Sequence, residues 1–87
     1  MIATATFAHF ITSVAKETTC TPCDVFVRDV RALVAAGEFT EPATLKDLLR
    51  EMQERRLLRQ YRPPALGLNV VKGVWENYQR WLAGSRA

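Results

Sequence analysis

TLKDLLREMQERRLLRQYRPPALGLNVVK, residues Thr44 to Lys72, is the stretch on which the reading of the chain turns. Leu45, Leu48, Leu49 and Met52 recur at helical spacing, so a helix is expected from Pro42 and Thr44 to Arg55 or Arg56. A short apolar-basic run follows, Leu57-Leu58-Arg59-Gln60-Tyr61-Arg62, then Pro63-Pro64, then a second run, Leu66-Gly67-Leu68-Asn69-Val70-Val71. Each run is too short for a helix of normal length. The proline pair excludes a continuous helix through Arg62 to Leu66, and Gly67 suits a hairpin tip or bulge. The pattern predicts helix, strand, tip, strand, with Arg59, Arg62 and Lys72 flanking the tip.

Upstream, Phe7, Phe10, Ile11 and Val14 mark one face of an amphipathic helix from about Ala5 to Glu17, with Thr4 or Thr6 as its cap. His9 lies off that stripe and has no second histidine or acid at ligand spacing, so no metal or catalytic role is expected of it. Thr21-Pro22 reads as cap and first residue of a second helix. Phe26, Val30, Leu33 and Val34 carry it to Ala36, and Gly37 stops it. Glu38 to Ala43 is a connector in which Phe39 plugs the core.

The last element has the strongest pattern. Val71, Val74, Trp75, Tyr78, Trp81 and Leu82 form a wide apolar stripe between Gly73 and Gly84. Two indoles and a phenol on one face are a large hydrophobic load for a small domain. Trp75, Tyr78 and Trp81 are therefore candidates for a homodimer or partner interface.

Eighty-seven residues make one domain, 1–87. No apolar run reaches the length of a membrane span. The N-terminus lacks the basic and long apolar regions of a signal peptide, which makes a cytoplasmic location the expectation. The net charge of +3 is unevenly placed. Up to Glu54 five basic residues face eight acidic ones, a balance of −3; from Arg55 onward seven basic residues face Glu76 alone, a balance of +6. Such asymmetry suits a surface for phosphates or for an acidic partner. With one histidine, no glycine-rich phosphate loop and no paired acids, no enzyme is expected, and no cofactor.

The order of elements resembles a winged helix-turn-helix domain: mainly α with a small β-hairpin, made of three helices, a two-stranded wing and a C-terminal helix. The piece from Thr44 to Arg59 looks like the recognition helix and first wing strand of MarR- and PadR-type repressors, where a leucine-x-x-leucine-glutamate-arginine-glycine-leucine run turns from helix into strand. Arg56 stands where that pattern has glycine. The chain is also similar to the small winged-helix domain that ends many phage primase-helicases, whose closing strand Leu66-Gly67-Leu68 resembles. The resemblance implies a double-stranded DNA-binding regulator or mobile-element accessory factor. It gives Lys46 and Arg50 base or phosphate contacts, and Arg55, Arg56, Arg59, Arg62 and Lys72 mostly phosphate contacts. Asp47, Glu51 and Glu54 share the polar face of the third helix and argue for the alternative, a non-enzymatic interaction or inhibitor module that docks by its third or last helix on a protein partner.

Cys20-Thr21-Pro22-Cys23 at a helix start looks like the redox site of thioredoxin-like proteins. That resemblance implies a nucleophilic Cys20 and a resolving Cys23. It also requires a strand ahead of the motif, where the sequence shows helical periodicity. A lone pair of cysteines is too little for zinc.

Overall fold

A computed structural model of the chain describes residues 6–15 and 21–85. It contains four helices. Helix α1, Phe7–His9, runs directly into a π-helical turn, Phe10–Val14. Helix α2 is Thr21–Ala35 and α3 is Leu45–Glu54. A 3₁₀ turn, Leu57–Gln60, leads to α4, Pro64–Ser85.

The two-stranded wing is the expectation that fails. Among the described residues there is no β-strand, so the winged helix-turn-helix architecture is replaced by an all-α one. The residues expected to form the first strand make the 3₁₀ turn, and those expected to form the second are the first two turns of α4. The physical reason lies in Pro63-Pro64. A proline pair does end the preceding structure, but Pro64 is also the first residue of α4, where its fixed φ suits a helix and its missing N–H would have no partner anyway. The Leu66 amide donates to the Pro63 carbonyl at 2.9 Å and closes the first turn. From there Val70, Val71, Val74, Trp75 and Tyr78 are all buried, which makes Leu66–Val71 the start of the aromatic stripe rather than a separate strand.

Gly67 is explained by the same packing. It faces the Tyr61 ring, and a Cβ built on it comes within 2.9 Å of Tyr61 Cδ2. The glycine lets the 3₁₀ turn lie against α4 and marks close approach, not a hairpin tip.

The other helices follow their sequence signals more closely. Thr6 caps α1 by accepting from the His9 amide at 3.1 Å; Thr4 lies outside the described residues. The Glu41 carboxylate, from the far connector, accepts from the Phe7 and Ala8 amides at 2.7 and 3.1 Å. At the other end of this segment Arg31 donates to the carbonyls of Ile11 and Ala15, at 2.8 and 2.6 Å. Helix α2 ends where Gly37 adopts φ 73°, with Gly37 and Glu38 amides returning to the Val34 and Leu33 carbonyls. Thr44 caps α3 by accepting from the Asp47 amide, and Asp47 accepts from the Ala43 amide in return.

The core joins all four helices. Phe7, Ile11, Val30, Leu48, Met52 and Val71 are fully buried. Burying one such ring or branched side chain contributes about 1.5–3 kcal/mol. Phe39 packs on this core from the connector, its ring centroid 6.1 Å from that of Phe7. No helix among the described residues is long and apolar enough to cross a membrane.

Candidate nucleic-acid interface

Arg56, Arg59 and Arg62 repeat every three residues: Arg56 precedes the 3₁₀ turn, Arg59 lies on it, and Arg62 follows it after an extended Tyr61. All three arginines line one open groove of about 670 Å³. Its other walls come from Gln53 at the end of α3, Leu58 and Tyr61 on the turn, and Pro64 and Leu68 on α4.

Each arginine is placed by a different local cause. Arg56 follows the C-terminus of α3 in the left-handed region, φ 61°, where its amide returns to the Gln53 carbonyl. This is the position at which the sequence resemblance calls for glycine, and a non-glycine residue there carries a backbone cost. Arg59 lies on the turn itself. Arg62 Nη1 donates to the carbonyls of Arg59 and Tyr61, at 2.6 and 3.1 Å, which holds its guanidinium over the turn. Among the described residues no carboxylate forms an ion pair with any of the three. The N-terminal end of α4 opens at Pro64 into the same groove, and its dipole adds to the positive potential there.

Tyr61 forms the groove's rigid back wall. It is buried, and its hydroxyl donates to the Pro22 carbonyl at 3.3 Å. Burial pushes its pKa up to about 12, with the charge of Asp29 acting in the same direction. Leu68 is the opposite case: it is a large hydrophobic residue left 45% exposed at the groove's edge.

The remaining residues singled out from the sequence are dispersed. Arg55 is occupied structurally: its Nε donates to Glu51 Oε1 at 2.6 Å, and Nη2 donates to the Glu38 carbonyl. The Glu51 hydrogen bond holds its guanidinium pKa above the ordinary arginine value. Arg50 lines a shallow depression with Glu41, Asp47, Glu51 and Glu54, surroundings that repel phosphate. Lys46 is exposed on the same helix. Lys72 is exposed on α4 one turn beyond Leu68, outside the groove lining. Trp75 and Tyr78 are buried and Trp81 half-buried. Phe7 and Phe10 cover them from within the chain, with centroids 5.5 Å for Phe7 to Trp75, 5.2 Å for Phe7 to Tyr78 and 5.5 Å for Phe10 to Trp81.

His9 rests 6.0 Å from the Trp81 ring. Among the described residues no group of three or more His, Cys, Asp or Glu side chains is placed to hold a metal ion. Cys23 is disulfide-bonded. Cys20 lies outside the described residues, and the thiol reading that rests on it lies there too; the parallel strands of a thioredoxin-like fold are absent among the described residues.

Sequence reasoning had the three arginines but not their company. The sequence pattern puts Gln53 on the third helix, Leu58, Tyr61 and Leu68 on the wing strands and Pro64 in the break between them, and no local signal joins these residues into one groove. The fold and groove define a small four-helix domain with one arginine-lined surface. The chain matches no protein-family model, and no curated protein and no solved structure is similar enough to it to count as a match.

Proposed function

We propose that this chain is a non-enzymatic nucleic-acid-binding domain that engages phosphates through Arg56, Arg59 and Arg62. The observation that carries the reading is the convergence of three arginines, none ion-paired to a described carboxylate, on one groove at a helix N-terminus. Arginine is the residue suited to this task, because its planar fork meets a phosphate with two parallel hydrogen bonds. Lys72, one turn beyond Leu68 on α4, is a further candidate phosphate contact, whereas Arg55 is bonded to Glu51 and Arg50 sits among acids.

The test is fluorescence anisotropy with labelled mixed-sequence DNA at several salt concentrations. Binding is expected, with log affinity falling linearly against log salt at about −0.7 to −0.9 per phosphate neutralised. Arg59→Ala is expected to weaken binding for every sequence and reduce that slope by about one phosphate's worth. Absence of salt-dependent binding at low salt overturns the reading and turns the groove toward an acidic protein partner.

A further inference from the structure

The groove is not purely basic. Leu58, Pro64 and Leu68 give it an apolar floor and edge, and Leu68 remains 45% exposed beside the arginines. A surface that contacts only the rails of a duplex has no use for such a ridge. The faces of paired bases are stacked out of reach, and exposed leucine held against phosphate would displace water from a charged group without replacing its hydrogen bonds. An unpaired strand presents both chemistries side by side: phosphates for the guanidinium forks, and base faces for the apolar ridge and for the flat guanidinium planes.

Two further observations point the same way. Reading base edges in a double helix requires an exposed element in a groove, and the outward side of α3 offers Asp47, Glu51 and Glu54 around Arg50. The arginine groove itself, at about 670 Å³, has the scale of a pocket for a small ligand or splayed-out nucleotide.

Resting on the nucleic-acid reading above, we infer that the groove binds single-stranded nucleic acid, with Arg56, Arg59 and Arg62 on consecutive phosphates and a base face lying on Leu68 and Pro64. Leu68 is then a specificity-determining residue for strandedness, and the arginines supply the sequence-independent attraction.

The deciding experiment titrates the full chain against one short labelled DNA in three forms: single strand, the same strand annealed to its complement, and a strand of equal length made of abasic sugars. At equal salt the single strand is expected to bind about tenfold more tightly than either other form. Leu68→Ser, at an exposed position where folding is checked by circular dichroism, is expected to lower single-strand affinity several-fold while leaving the salt slope unchanged. Duplex binding as tight as single-strand binding overturns this inference and leaves the phosphate reading standing, and so does equal affinity for the abasic strand. Failure of all three forms to bind at low salt overturns both.

Discussion

A methyl group at Gly67 would lie 2.9 Å from Tyr61 Cδ2 and 3.3 Å from its Cγ. The contact point is a buried ring, not the end of a flexible chain, so the ring or the helix must move. Alanine normally stabilises a helix interior by about 0.5–1 kcal/mol over glycine. At Gly67 the sign is expected to reverse, with Gly67→Ala costing about 1–3 kcal/mol through overpacking. Gly73, with nothing within 4 Å of its Cβ position, is the control. Gly73→Ala is expected to stabilise in the same urea titration, and a matching gain at Gly67 would show that Tyr61 does not press on α4.

Arg56 couples stability to binding. Its φ of 61° suits glycine, and its side chain lines the groove. Arg56→Gly is expected to raise stability by up to about 1 kcal/mol while weakening nucleic-acid binding at low salt. Thermal unfolding and anisotropy on the same sample check both halves; a variant that loses stability would refute the left-handed cost.

Arg55 and Arg59 separate structure from binding. Arg55→Ala removes the hydrogen bond to Glu51 and the one to the Glu38 carbonyl, and is expected to lower stability with little effect on the salt slope. Arg59→Ala should do the reverse, since its side chain has no hydrogen-bonded partner to lose within the described residues. Chemical denaturation of the two variants beside their binding curves tells the roles apart.

Glu41 forks across two free amides of α1 from a connector more than thirty residues away, accepting at 2.7 and 3.1 Å. Glu41→Ala is expected to cost about 1 kcal/mol, the size of a lost cap. The loss should appear as faster hydrogen exchange at Phe7 and Ala8, ahead of exchange in α3.

Tyr61 makes stability depend on alkaline pH. In the fold its phenol keeps its proton to about pH 12, against 10.0 for a free side chain. Between those values the folded chain binds more protons than the unfolded one, so stability falls as pH rises. The contribution is complete below pH 10 and is lost as pH climbs toward 12. Tyr61→Phe, whose ring cannot ionise, is expected to show a shallower decline over that window in urea midpoints; superimposable profiles would contradict the burial effect.

Much of this molecule could be read from its sequence because the signals are local. The α2 stripe with its Gly37 stop, the Thr44 cap of α3 and the apolar positions of α4 from Val71 onward all depend on residues within a few positions of one another. The region from Leu57 to Val71 did not yield to the same treatment. A short apolar run, a proline pair and a glycine are each compatible with a strand and hairpin or with a turn and a helix start. Local preference leaves the two nearly balanced.

The sequence by itself determined the positions of the helical stripes, the −3 and +6 balance of its two parts, and the arginines at every third residue. The tertiary structure alone decided that Leu66–Val71 begins a helix. Val70 and Val71 find burial beside Phe7 and Met52 only if α4 is continuous from Pro64, and Tyr61 can seat against that helix only where residue 67 lacks a Cβ. It also decided which arginines are available. Arg55 and Arg59 are the same residue type four positions apart, and what distinguishes them is the reach of Glu51 and the Glu38 carbonyl to one and of neither to the other.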